Sequence, residues 1–431
     1  MQRVKASVGR FLLLSVLLVL SQDGLVAESD LEKTARILNA ISQEFGKKTN
    51  TPQSSQNQSS SAYSHVPVNR NNRFIDWNSF VCINQNAFPC MIFGLSNVKD
   101  PRVLSFINNP NGLTGIFGDQ SAIVGVALRP RVFIPRITVK VSALPFLQES
   151  EIDIGNLQPG GTYLAKPTLV WDYKEIRNLN QAIPCTLTTS LIAPDGMILD
   201  KDNSRFFMRS PNDCPITGGP VLSPYDYLLA SFVNEDAPVI DKLLKSALST
   251  AVTENFAGYQ EGSKNAFFKQ LFAIWQALQK NGMHYSSITE VSIKSNDVPT
   301  QHIRFMNESM LNQQANCIDG TVLLASVCKK ISLRPSIVLL NATTPGAKTA
   351  NHAILAVSGM EDGRHIIYID TTVMRSYEGT FDSSWKNFQQ ALMQGELVVK
   401  QSKANGFPPK LIDIEEARRI GFAPIPLFSK E

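Results

Sequence analysis

Cys317 is the residue whose type and placement point most directly to chemistry. The polar run Gln314-Ala315-Asn316 gives way there to an apolar helical pattern from Ile318 to Ser326, so the thiol opens a helix. Unpaired N–H groups and the positive end of the helix dipole favour the thiolate, the nucleophilic form of cysteine. The position also fits a small buried core residue. A nucleophile further requires a base within hydrogen-bond reach and a third group that orients that base.

Five histidines supply the bases to consider: His65, His284, His302, His352 and His365. Only His352 begins a strand pattern directly after a small-residue loop, with an acid, Asp370, placed to meet it across a hairpin. The two strand patterns run from His352 to Val357 and from His365 to Asp370, with Asp362-Gly363 as the turn signal. A two-residue turn there would set His352 against Val373 and displace Asp370 by roughly 10 Å. A three- or five-residue loop centred on Glu361 instead sets His352 against Asp370 on one face, and this is the register that serves catalysis. A carboxylate closing an apolar run usually needs a partner, although strand-end aspartates also cap turns.

The elements around these residues follow from periodicity. Helical patterns run from Tyr225 to Val233, from Pro238, and over 264–280, where Phe268, Leu271, Phe272, Trp275 and Leu278 share one side until Asn281-Gly282 stops the helix. After Arg334-Pro335, Ser336 to Leu340 reads as a buried strand. Residues 96–220 carry short strand patterns instead: Ala122 to Leu128, Arg136 to Ser142, Pro167 to Tyr173, Thr186 to Ile192 and Arg205 to Arg209. Turn signals such as Pro159-Gly160-Gly161 separate them, which suggests an all-β sandwich with a structural or partner-binding role. The expected fold class is α+β, with a boundary at Gly218-Gly219-Pro220 and a chemistry-bearing domain over 221–431.

Residues 1–27 read as a secretory signal, with a basic start, the ten-residue apolar run Phe11 to Leu20, and Ala27 at the cut. That run is shorter than the roughly 17 residues a spanning helix needs. No membrane span is expected once the signal is removed, and the localisation implied is secreted or periplasmic. Residues 28–95 divide into an amphipathic helix opened by Ser29-Asp30-Leu31-Glu32, a polar tether, and a segment with a short disulfide loop. Beyond residue 27 the chain holds 38 basic and 36 acidic side chains, which is no nucleic-acid signature.

Export exposes the six cysteines to oxidising conditions. On a helix from Cys317, Cys328 lies roughly 16 Å away. A disulfide needs Cα atoms within roughly 7 Å, so Cys328 reads as a core thiol. The remaining four allow three connectivities. Sequence proximity favours Cys82 with Cys90 and Cys185 with Cys214.

Asn316-Cys317-Ile318-Asp319 at a helix start, Asn351-His352-Ala353-Ile354 on a strand, and Tyr368-Ile369-Asp370-Thr371-Thr372 after it resemble the core of the transglutaminase-like cysteine enzymes, in their order Cys, His, Asp. Ser231 to Pro238, Gly258-Tyr259-Gln260, the Gln301-x-Ile303-Arg304 run and Ala417 to Pro426 extend the resemblance to a bacterial group in which a β-sandwich precedes this core, over about 120 to 426. Ala315 and Asn351 stand where many members have glycine, a change that would reshape or narrow the cleft. The resemblance implies a papain-like helix-plus-antiparallel-sheet domain acting on amide bonds of proteins or peptides. In it Cys317 would be the nucleophile, His352 the base and Asp370 the group that fixes the imidazole tautomer. The Cys317 N–H would be one oxyanion donor and Gln301 a candidate second, with Asp319 bonding the first helical turn. Hydrolysis is favoured over transamidation, no metal or other cofactor is implied, and a noncatalytic binding protein is the alternative.

Overall fold

Alternating apolar and polar side chains build two sheets in the first half of the molecule, which a computed structural model describes over residues 73–109, 111–216, 219–257, 264–286, 298–358 and 366–426. The expected export signal, first helix and turns at Gly258-Tyr259-Gln260 and Asp362-Gly363, nearly all of the expected polar tether, and His65 and His365 lie outside the described residues. Strands β1 (Ile75–Val81), β2 (Gly115–Gly118), β3 (Val124–Pro130) and β6 (Tyr163–Lys166) form a four-stranded sheet in the order β1-β3-β6-β2. Strands β4 (Ile134–Ala143), β5 (Leu147–Leu157), β7 (Ile183–Ile192) and β8 (Ile198–Met208) form the second, with the two-residue strand Asn86–Ala87 at its edge beside β8. The sheets meet through Trp77, whose indole N–H donates to Asp200 (2.8 Å), and through Ser79 and Ser204 hydroxyls 2.9 Å apart.

Three expectations for this half do not hold. Pro167 to Tyr173 is not a strand, because Asp172 caps a short helix, Tyr173–Arg177, by accepting from Lys174 and Glu175 N–H groups. Residues 75–95 are not a disulfide loop. They supply β1, paired along its length with β3, and helix α1 (Pro89–Gly94), which is buried throughout. Cys82, Cys90, Cys185, Cys214, Cys317 and Cys328 are all free thiols, so the bridges Cys82 to Cys90 and Cys185 to Cys214 are not formed. Cys185 sits on β7, in the five-stranded sheet, whereas Cys214 is fully buried on β9 (Asp213–Pro215), which pairs with β11 (Thr300–His302). The thiol beside Cys214 is Cys90, brought there from α1.

The second half is helical around one antiparallel sheet. Its elements are α2 (Pro238–Leu248), α3 (Lys264–Lys280), β10 (His284–Tyr285), α4 (Met306–Asn312), β12 (Gln314–Ala315), α5 (Cys317–Lys330), β13 (Arg334–Leu340), β14 (His352–Ser358), β15 (Ile366–Ile369), α6 (Phe381–Ala404), β16 (Lys410–Asp413) and α7 (Ile414–Arg419). The sheet order is β15-β14-β13-β16, with every neighbour antiparallel. Helix α5 is buried from Ile318 to Cys328 and packs on β13 and β14, which fixes its first residue near the start of β14. Residues 231–234 and 417–425 brace it: Arg418 donates to the carbonyls of Ala230, Val233 and Phe422, Ile425 N–H to Ser231, and Asn234 N–H to the Ser326 hydroxyl of α5. The whole is an α+β architecture, and no helix among the described residues is long and apolar enough to cross a membrane.

Candidate active site

The helix start at Cys317 is closed by a reciprocal cap. Asn316 Oδ1 accepts from Ile318 N–H (3.0 Å) and Asp319 N–H (2.9 Å), while Asp319 Oδ2 accepts from Asn316 N–H (3.2 Å). Cys317 is therefore the first helical residue, partly exposed, and its side chain leaves from the end that the dipole makes positive. Asp319 has a reach that sequence reasoning missed. Its Oδ1 accepts from Arg304 N–H (2.8 Å) and its Oδ2 lies 3.7 Å from the Arg304 guanidinium, so it ties the chain after β11 to the thiol's helix. Burial pushes its carboxyl up against those hydrogen bonds.

His352 opens β14 at the end of a loop held shut from inside. Asn351 N–H donates to Leu340 (3.0 Å), and Asn341 donates to Thr349 (2.6 Å) while accepting from the N–H groups of Thr343 and Thr344. Ala315 and Asn351 both have negative φ, so neither position needs glycine for its backbone.

The hairpin register differs from both sequence expectations. Leu355 pairs with Ile369 and Ser358 with Ile366, so the continued register sets Asp370 against Ile354, and His352 against neither Val373 nor Asp370. His352 and Asp370 are thus diagonal neighbours on one face, within reach of long side chains. His352 Nε2 donates to Asp370 Oδ2 at 2.9 Å. The other carboxylate oxygen accepts from Thr372 N–H (3.0 Å) and the Thr372 hydroxyl (2.7 Å), so both oxygens are held. With Nε2 committed to the carboxylate, Nδ1 is the ring nitrogen left for the thiol, and the ring is also hydrogen-bonded to Cys317.

The electrostatics follow from that chain. Burial opposes charge on the His352 ring, but its bonds to Asp370 and Cys317 outweigh burial and raise the imidazole from 6.5 to about 10. Burial likewise works to raise the Asp370 carboxyl, and the bonds from His352 and Thr372 overcome it and hold the group below its ordinary value. The Asp370 side chain is 1% exposed and that of His352 is 16%, so both groups are largely withdrawn from water.

The remaining candidates are engaged elsewhere. The Gln301 amide donates to the carbonyl of its neighbour His302 (2.9 Å), and Gln301 faces Cys214 across the β9/β11 pair. His284 contacts the Gly282 carbonyl, and His302 lies 3.4 Å from Asp213. Cys328 is fully buried, which pushes its thiol up to about 12. Among the described residues no three His, Cys, Asp or Glu side chains converge as a metal site. Thr372 stood in a motif without a role of its own. A hydroxyl two residues past a turn-capping aspartate is the local pattern that could have revealed its grip on Asp370. No protein-family model matches the chain, and neither does any curated protein with which it was compared.

Proposed function

We propose that the protein is an exported thiol enzyme of the transglutaminase-like kind, acting on amide bonds of proteins or peptides, with hydrolysis favoured over transamidation. In this reading the two contacting sheets are the β-sandwich that precedes the reactive domain. One observation carries the proposal: Asp370, itself held at both oxygens, bonds His352, which bonds Cys317 at a helix start.

A raised imidazole beside a thiol favours an ion pair of thiolate and imidazolium. The thiolate attacks the amide carbonyl carbon, a C–S bond forms, and the carbonyl electrons move to oxygen, whose charge the Cys317 N–H would receive. His352 gives its proton to the departing nitrogen as the C–N bond breaks, leaving a thioester and free ammonia or amine. Water then gives up a proton to His352 and its oxygen attacks the thioester, releasing the acid and restoring the thiol and base. Asp370 stabilises the imidazolium and fixes which ring nitrogen faces the thiol.

The test compares Cys317 with Cys185, which is partly exposed and so not shielded as Cys328 is. Iodoacetamide at about pH 6, where an ordinary thiol is mostly protonated, is expected to label Cys317 well ahead of Cys185. Release of new amino termini or ammonia from a protein substrate, lost in Cys317→Ser, would support hydrolysis; incorporation of a labelled primary amine would identify a transamidase instead. Equal labelling of the two thiols with no turnover would leave a binding protein that keeps the fold.

A further inference from the structure

Three consecutive backbone carbonyls, beginning with the last residue of the turn that Asp370 caps, are each gripped from outside that turn. The Val373 carbonyl accepts from the Asn387 side-chain amide of α6 (2.7 Å), that of Met374 from Tyr285 N–H on β10 (3.1 Å), and that of Arg375 from the Gln279 side-chain amide of α3 (2.8 Å). The two amides hold each other as well. Asn387 Oδ1 accepts from Gln279 Nε2 (2.9 Å) and from the Trp275 indole N–H (3.2 Å), and Gln279 Oε1 accepts from the Ser384 hydroxyl. Trp275, Gln279, Ser384 and Asn387 are all buried, so each bond lies in a medium where an unmatched amide costs about 1–3 kcal/mol.

The middle grip leads to the thiol. β10 runs parallel to β12, with His284 N–H donating to Gln313 (3.1 Å) and Ser286 N–H to Ala315 (3.0 Å), and β12 ends directly before Asn316 and Cys317. One side of the 373–375 segment is therefore fixed to α3 and α6, and the other carries the strand that delivers the nucleophile. Packing alone would need no polar groups here, since an apolar core is cheaper than a partly satisfied polar one.

We propose that Gln279 and Asn387 are positioning residues for the reaction, acting through the 373–375 carbonyls to set the spacing between Asp370 and Cys317. This rests on the thiol-enzyme reading above. When the grip is lost, Asp370 no longer meets His352 squarely, the imidazolium loses stabilisation, and the thiolate is less populated at low pH.

The experiment measures the pH profile of Cys317 alkylation in the full protein for wild type, Gln279→Met and Asn387→Leu. Asn108→Ala serves as the control, because it removes a buried amide bonded to Lys166 far from the site in the chain. Both clamp variants are expected to move the profile upward by about one pH unit and to slow alkylation at about pH 6 roughly tenfold. The control is expected to lose thermal stability while keeping the wild-type profile. Ser384→Ala, which frees only the far end of Gln279, supplies a milder variant should the larger changes prevent folding, with an expected slowing of about threefold. An unshifted profile in the clamp variants, beside an activated wild type, would overturn the positioning role and leave the thiol-enzyme reading standing. A wild type whose Cys317 behaves as an ordinary thiol would overturn that reading, and the positioning role with it.

Discussion

Asp370 lies diagonally across the hairpin from His352, opposite Ile354 in the continued register, yet its Oδ2 stands 2.9 Å from the ring Nε2. The diagonal works because Asp370 is no longer in the strand: it caps the following 3-10 turn, and Thr372 turns its other oxygen inward. Asp370→Asn keeps the shape and removes the charge. Its expected effect is a loss of Cys317 alkylation at neutral pH of about tenfold to thirtyfold, the interval between a full thiolate and an ordinary thiol, measured by single-turnover labelling. Thr372→Val keeps the charge and the backbone N–H bond to Asp370 and removes only the hydroxyl bond, so a smaller loss, of about threefold, is expected.

The raised imidazole makes a pH-dependent contribution to folding. Its folded value, about 10, lies above the unfolded 6.5, so protonation is favoured by the native state. The stability it supplies is complete below 6.5 and is lost as pH rises through about 10. Asp370, held low, works oppositely: its contribution is present above the ordinary carboxylate value of 3.8 and is lost as pH falls through its native value. Urea melts of wild type and His352→Ala should therefore differ most near pH 5–6 and converge toward pH 10, with a span on the order of 3–5 kcal/mol. A constant difference across that range would mean that His352 is not bonded as described.

The helix start at Cys317 was legible because caps and apolar periodicity are local, and His352 because a strand must begin somewhere after a small-residue loop. The hairpin register was not legible, since it depends on a connection whose length the turn signal at Asp362-Gly363 does not fix. β5 escaped notice because Glu149, Glu151 and Asp153 crowd its outer face, yet that face is matched across the sheet by Lys140 and Arg136. The thiol pairing failed for a topological reason: β9 leaves the five-stranded sheet to pair with β11, which carries Cys214 to Cys90 of α1 and away from Cys185. Nor could spacing reveal the amide pair Gln279 and Asn387, whose bonds span 108 residues.

Gly320 sits three residues beyond Cys317, and Thr371 follows Asp370. A Cβ on Gly320 would stand 2.6 Å from the Thr371 hydroxyl and 2.9 Å from its Cβ, so the bare glycine sets how closely the thiol's helix meets the acid's turn. Gly320→Ala gains about 1 kcal/mol of helix propensity but incurs about 1–3 kcal/mol of overpacking. Net destabilisation is expected, together with slower alkylation of Cys317. A more stable protein with an unchanged thiol would show that the turn yields freely.

A buried ion pair anchors β16 to the chain before the second half's helices. Lys410 Nζ lies 3.0 Å from Asp226 Oδ2 with both side chains almost fully buried, and the same oxygen accepts from Ser223 N–H at the start of the 3-10 helix 224–232. Lys410→Met takes the cation away from a buried carboxylate and is expected to cost about 3–5 kcal/mol in denaturant melts. Adding Asp226→Asn removes that buried charge while an amide oxygen still receives the Ser223 N–H, so the double variant should recover most of that loss. Were the two losses simply additive, the pair would not be acting as a unit, and the anchoring of β16 to the 3-10 helix would have to lie in the surrounding apolar contacts instead.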